Sequence, residues 1–418
     1  MAAPSVIPPV CGERFAGRRF PSAGELAARR ILVVAPQPFY QDRGTPIALR
    51  QVLHAASELG YRVDLLTFPV GADVEFPGLR IFRADNPFDF RAVPIGLSLR
   101  KLLLDASLLA AARVRLASET YTCVHALEEA AWPAALLARR HGIPLLYDMQ
   151  SSIPEQLRKY MLAHVPPVPM LMARAEQWLL TRADLVVASA GLGTRVRRMA
   201  PGTRVREWRF PSAPSEVPHE ASLALRRRLG LPADAPVILY SGTFEVYQGL
   251  GELIAAIPEV LAGEPSARFI LVGADRAGRA ALGGAAEELE RAGVLTLVER
   301  QPRSAMPGYL AMADVLVSPR AFGGNLPLKI FDYLAAGRPI VATNISTHRA
   351  VLTRRTAVLV EPAADALAQG IVSVLRSPSK GRELGEAARQ YAFEHLGWNR
   401  FVRSVGEIYE DAHRRVLA

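Results

Sequence analysis

Cysteine is nearly absent: the 418-residue chain has two, Cys11 and Cys123, far apart in sequence. That excludes a disulfide framework and a cysteine-built metal site, and it fits a reducing compartment. No apolar run reaches the ~18 residues of a membrane span. The first 29 residues include Pro8, Pro9, Arg14, Arg18 and Arg19 and lack the uninterrupted apolar stretch of a signal peptide. Blocks of like charge are missing as well. Fifty basic and 40 acidic residues leave a net charge of +10, which suits a nucleic acid, an anionic membrane face or a phosphorylated substrate. The arginines are dispersed, so a well-solvated surface explains the excess equally. With no aromatic-rich basic strand or recognition module, no nucleic-acid partner is expected. The expected place is the cytoplasm, free or peripheral to the inner face of the plasma membrane.

What the chain does have is a hydrophobic fraction of 50%, enough over this length for two cores of roughly 150–200 residues. Apolar runs alternate with amphipathic helices. Residues 31–36, a helix from Pro46 to Gly60, and 62–68 read as a β-loop-α-β unit, and strands at 122–127, 144–149 and 184–189 continue the pattern. Residues 206–220 hold three prolines and little periodicity and read as a linker. The alternation then resumes with strands at 237–242, 268–274 and 295–299, a helix around 283–292, and further units to about 395. The expected fold class is α/β, with two Rossmann-like doubly wound domains facing a cleft. Their expected bounds are 30–205 and 221–395, with a leader over 1–29 and a last helix over 396–418 folded back across the domains. Ligands bind such sheets at the carboxyl ends of the strands.

The most informative stretch is 313–344, ADVLVSPRAFGGNLPLKIFDYLAAGRPIVATN. An apolar strand ending at Ser318 enters a loop holding Arg320, Gly323, Gly324 and Asn325. Pro327 then opens a helix carrying Lys329 and Asp332, which Gly337 closes. Free amides at a helix start, an ammonium and a carboxylate one turn on would suit a nucleotide-sugar. Lys329 and Asp332 share one helix face, and the alternative is a surface ion pair worth little.

Three segments together resemble the family 4 glycosyltransferases of the GT-B fold, over roughly 30–395. They are PQPFYQDRGTPIALRQVLHAASELGYRVDLLT, then YSGTFEVYQGLGELIAAI with FILVGAD, and the stretch above with its P-x-K-x-x-[DE]-Y-x-A-x-G-x-P pattern. The resemblance implies metal-independent transfer of a hexosyl group from a nucleotide diphosphate donor with retention, in cell-envelope or exopolysaccharide synthesis. No cofactor is implied, because the nucleotide-sugar is a substrate. The acceptor would be a carbohydrate or a lipid-linked one. The donor would lie on the C-terminal domain against Gly242, Thr243, Gln248, Arg320, Gly323, Gly324, Asn325, Lys329 and Asp332. Arg43, Gly44 and Thr45 would form the opposing wall. Asp332 stands where the family has an acid for ribose hydroxyls. Two departures stand out: Thr243 and Gln248 replace an Arg and a Lys that commonly hold the diphosphate, and Gly324 replaces the first of two glutamates.

In the N-terminal half, Asp148 and Gln150 end a strand where relatives place a histidine. Gln cannot act as a base, so the donor's own phosphate oxygen, or Asp148, would take the acceptor's proton. Asp148 could equally cap the following turn. Asp42, Glu128 and Glu129 are candidate acceptor contacts, and the two glutamates could instead simply start a helix. His125 reads as packed at a strand end and His348 as a residue behind the site. Segment 95–116 is either a core helix or a basic amphipathic helix on an anionic membrane. Competing functions are another GT-B enzyme, such as a nucleotide-sugar epimerase or a phosphorylase, and a basic nucleic-acid-binding protein.

Overall fold

The computed structural model describes residues 29–41, 44–91, 93, 98–152, 154, 167–212, 217–324 and 327–414. Among them, thirteen strands form two all-parallel sheets. The first comprises β1 (Arg30–Ala35), β2 (Arg62–Thr67), β3 (Leu79–Arg83), β4 (Cys123–Leu127), β5 (Leu145–Met149), β6 (Leu185–Ala188) and β7 (Val205–Glu207), in the order β3-β2-β1-β4-β5-β6-β7. The second comprises β8 (Val237–Ser241), β9 (Arg268–Ala274), β10 (Leu295–Glu299), β11 (Val315–Ser318), β12 (Ile340–Thr343) and β13 (Val358–Val360), in the order β10-β9-β8-β11-β12-β13. Helices cover both faces of each sheet, so central strands such as LVVA and VILYS are buried throughout and read as unbroken apolar runs.

Around the first sheet lie α1 (Gly44–Glu58), α2 (Leu99–Ser118), α3 (Ala131–Arg140), α4 (Val168–Leu180) and α5 (Ala190–Met199). The second carries α6 (His219–Arg228), α7 (Leu250–Gly263), α8 (Arg276–Arg291), α9 (Met306–Met312), α10 (Lys329–Ala336), α11 (Ser346–Arg349), α12 (Ala364–Leu375) and α13 (Pro378–His395). Strand order reverses between β1 and β4 in one domain and between β8 and β11 in the other. Those reversals splay the following loops apart and open a crevice at the carboxyl edge of each sheet. The two crevices face each other.

Three boundaries differ from the sequence reading. The linker is shorter, because β7 runs to Glu207 and pairs with β6, while α6 begins at His219. Helix α8 begins at Arg276 rather than near 283. Asp275 caps it by accepting from the Gly278 amide at 2.7 Å, and the backbone kinks at Gly283. Edge strand β3 carries too little apolar alternation to be read in advance.

The last helix, α14 (Trp398–His413), packs against the N-terminal domain. Its Tyr409 hydroxyl lies 3.0 Å from His125 Nδ1, and Trp398 Nε1 donates to the Glu58 carboxylate at 2.9 Å. Asp411 receives Arg206 Nε at 2.8 Å. Beneath it Trp208 and Phe210 of the linker pack with Phe401 and Phe331. The C-terminus and the linker together form an aromatic hinge core below the cleft. No described helix is long and apolar enough to cross a membrane.

Candidate active site

Between the domains lies a cavity of about 2210 Å³, lined by the loops after β1, β4, β5, β8 and β11 and by the starts of α1 and α10. On the C-terminal wall, β8 delivers Gly242, whose backbone is left-handed at φ +147°. A Cβ there would stand 2.7 Å from Lys329 Nζ and 2.8 Å from the Tyr240 hydroxyl. The absent side chain is the space the ammonium occupies. Lys329 Nζ donates to Gln248 Oε1 at 3.1 Å and sits 3.8 Å from the centre of the Tyr240 ring, an attractive cation–π arrangement. Desolvation, then Arg320, hold this lysine well below the usual range. Tyr240 is fixed in turn by donating to the Thr243 carbonyl at 2.7 Å.

Thr243 and Gln248, the two neutral departures from the family pattern, therefore flank a cation supplied from α10. Arg320, only 2% exposed, lines the same wall; its Nε donates to the Phe322 carbonyl at 2.9 Å and its guanidinium lies 5.0 Å from the Tyr247 ring. Behind it, His348 Nε2 meets Ser318 Oγ at 3.0 Å and Nδ1 the Thr343 carbonyl at 2.8 Å. Burial pushes this imidazole down to about 4, so it is a neutral brace away from the cavity surface. Asp332 does line the cavity, with Oδ1 accepting from Arg303 at 3.3 Å and its carboxyl raised by burial. Gly323 and Gly324 line it too. Ser189 of the opposite domain donates to the Gly324 carbonyl at 3.0 Å, a direct clasp across the cleft.

On the N-terminal wall, Gly44 and Thr45 open the fifteen-residue α1 and face the cavity, offering unpaired first-turn amides. Asp42, Arg43 and Asn325 lie outside the described residues. After β4 the chain turns at Glu128 with φ +48°, unusual for a residue with a Cβ. Its carboxylate accepts from Ser151 Oγ at 2.9 and 3.1 Å. Burial, outweighing Ser151 and reinforced by Asp148, pushes it up to about 8. Glu129 pairs instead with Lys101 of α2, whose ammonium burial depresses.

Gln150 faces the cavity and Asp148 does not. Asp148 is 2% exposed, with Oδ1 accepting from Gln150 Nε2 at 2.6 Å and Oδ2 lying 3.4 Å from His125 Nε2. The expectation of Asp148 as a base is corrected: its carboxylate anchors Gln150 and leaves the glutamine's Oε1 as the free end. His125 is packed, fully buried, between Asp148 and Tyr409.

The structure adds Lys101, Asp105 and Arg303 to the cavity lining. They arrive by tertiary contact, and only the polar interruptions in otherwise apolar α2 could have signalled the first two. Among the described residues, no three His, Cys, Asp or Glu side chains converge as a metal site would.

Residues 43–200 match the family model of the glycosyl transferase 4-like domain, and 235–377 match that of the glycosyl transferases group 1. Among curated proteins, the chain is 27% identical over 308 residues to a D-inositol 3-phosphate glycosyltransferase of Streptomyces scabiei. That match covers 67% of this chain and 66% of the enzyme, just under two thirds of its length. Among solved structures, the chain resembles sucrose-phosphate synthase from Thermosynechococcus elongatus with a TM-score of 0.77, 22% identity, and coverage of 91% of this chain and 98% of that one. It also resembles HepE of Anabaena in complex with UDP and glucose, with a TM-score of 0.70, 18% identity, and coverage of 91% and 98%. At such identities the solved structures establish the fold, a GT-B pair of parallel α/β domains.

Proposed function

The chain belongs to the family 4 glycosyltransferases, and from that premise we propose that it transfers a hexosyl group from a nucleotide diphosphate sugar to a carbohydrate or lipid-linked hydroxyl, with retention and without a metal, in cell-envelope or exopolysaccharide synthesis. The observation that carries this reading is Lys329, held in the hollow of Gly242 beside Gln248 at the start of α10. A leaving diphosphate gains negative charge as its bond to the anomeric carbon lengthens. Fixed donors aimed at that charge supply most of the stabilisation in a site screened from water. Lys329, the amides of Gly323 and Gly324 and the start of α10 are such donors, and the start of α1 opposes them.

The remaining roles follow from position. Asp332 accepts the ribose hydroxyls, exchanging its contact with Arg303 for them. Gln150, its nitrogen tied to Asp148, presents an acceptor oxygen to a sugar hydroxyl. Glu128 receives the acceptor's hydroxyls. The acceptor oxygen bonds to the anomeric carbon as the bond to the phosphate oxygen breaks, and that phosphate oxygen takes the proton. The UDP and glucose of the HepE complex support a nucleotide donor.

For location, exposed Leu99, Leu102 and Leu103 of α2 and Met170 and Leu171 of α4, with Arg100 and Arg174 beside them, support peripheral contact with an anionic membrane. Vesicle co-sedimentation that weakens with salt would be its mark.

The deciding experiment is thermal-shift screening against UDP, GDP and ADP with and without EDTA. Stabilisation by one nucleotide that survives EDTA and is lost in Lys329→Met is expected. A nucleotide-dependent shift unchanged in that variant would remove Lys329 from the role, and no shift with any nucleotide would remove the reading.

A further inference from the structure

The cavity is larger than a nucleotide-sugar needs. Its 2210 Å³ is more than twice the upper end of the roughly 300–1,000 Å³ of ordinary small-molecule sites, and its lining extends well into the N-terminal domain. There the cavity lining runs along α2 at helical spacing through Leu102, Leu109, Ala112 and Leu116, a length of roughly 21 Å at 1.5 Å per residue. Opposite stand Trp132, Ala134 and Leu137 of α3, and its floor is Leu32, Val34 and Val124 of the sheet. This arm is apolar along its length. The ionisable side chains of α2 that line it are gathered near one end, where Lys101 meets Glu129 and, at 4.0 Å, Asp105, close to Glu128 and the transfer region.

A donor cannot use such a space: its sugar, ribose and phosphates all require polar partners, and burying them against leucine would leave those groups unsatisfied. A hydrocarbon chain can, gaining roughly fourfold in affinity per buried methylene. At its Lys101 end the arm's lining reaches the surface at Leu102, where Leu99 and Leu103 are exposed as well, and Arg100 beside them is complementary to the phosphate of a lipid.

We propose that this arm receives the hydrocarbon chain of the acceptor, so that the substrate is a lipid-linked saccharide whose hydroxyl reaches the anomeric carbon past Glu128 and Gln150 while its chain lies along α2. The inference rests on the glycosyltransferase reading and narrows its acceptor to one class.

Calorimetric titration of the full chain with butyl, octyl and decyl glucosides below their micelle concentrations tests it, with the UDP, GDP and ADP thermal shift recorded in parallel. Affinity is expected to climb steeply with chain length. It should lose that dependence in Ala106→Trp and in Leu109→Trp, which fill the arm from two positions, while the nucleotide shift stays intact. The first position is largely exposed, so that variant should fold even if the second does not. Chain-length dependence that persists in both variants would place the chain on the exposed rim and overturn the arm. Affinity independent of chain length, with the nucleotide shift preserved, would overturn the lipid acceptor and leave the glycosyltransferase reading standing. Loss of both responses would overturn the two together.

Discussion

On the C-terminal wall of the cleft, Lys329, Gln248, Tyr240 and Thr243 hold one another within hydrogen-bond or ring contact, and Arg320 is fixed on its own loop. On the N-terminal wall, Glu128 is held by Ser151, Gln150 by Asp148 and Glu129 by Lys101, but beyond them the cavity is lined by apolar side chains of α2 and α3. The first six strands run in the same order on both sides, with β7 added at one edge of the first sheet, so the difference lies in how each crevice is filled. A wall that stabilises developing phosphate charge must not reorganise as the charge appears. A wall that takes acceptors of varied length needs room. On the proposed assignment, the donor side is closed by polar contacts and the acceptor side adds apolar room.

The comparison breaks most sharply at Lys329. Lys329→Met keeps the bulk and removes the cation, and kcat/KM is expected to fall roughly 10²- to 10³-fold, as on loss of one fixed donor to developing charge. Stability should hold or rise near neutral pH, because a desolvated ammonium is removed. Parallel kinetics and melting curves check both halves; a large fall in melting temperature would make the lysine structural instead.

Backbone substitutions test the rigidity directly. A Cβ on Gly249, at φ +69°, would stand 1.9 Å from the Pro319 carbonyl, whereas one on Gly44 meets nothing within 4 Å. Gly249→Ala is expected to cost about 1–3 kcal/mol through the forced left-handed conformation alone, read by denaturant melts. Gly44→Ala, in the first turn of a helix, should be neutral or slightly stabilising. Equal costs at the two sites would dissolve the distinction between the walls.

Whether charge has been relocated within the donor wall is answered by rescue. If Lys329 does the work of the cations missing at Thr243 and Gln248, then Gln248→Lys in the Lys329→Met background should recover roughly tenfold in kcat/KM, about 1.4 kcal/mol. No recovery would mean that the position of the ammonium matters beyond its charge.

The fold was legible because parallel strands covered on both faces leave unbroken apolar runs. Where burial is partial the signal fades: β3, LRIFR, is nowhere fully buried and carries two arginines, so periodicity cannot find it. The Gly283–Gly284 pair hid the first half of α8, although Asp275 was a usable cap signal. In the site, Lys329 and Asp332 could be named because one short motif carries both the loop and the helix that place them. Arg303 and Lys101 could not, since Asp332 and Glu129 reach them only through tertiary packing. Asp148 illustrates the opposite error: strand-end position marks it, but which way a side chain faces at a strand end is decided by neighbours such as His125.

The proposed acceptor wall is tested by pH. Burial raises the Glu128 carboxyl from 4.5 to about 8, so the fold favours the protonated acid. A raised acid stabilises fully below its unfolded value and loses that contribution as pH rises through its folded value. The wild-type chain should therefore lose stability relative to Glu128→Gln between about pH 4.5 and pH 8, with the difference in melting temperature levelling off above that window. Glu128→Gln should also raise the acceptor KM several-fold while leaving the nucleotide-induced thermal shift unchanged, because the residue stands on the wall away from Lys329. A flat difference across the window would place the carboxyl in contact with solvent and remove the reason to single out Glu128 among the acids of the cleft.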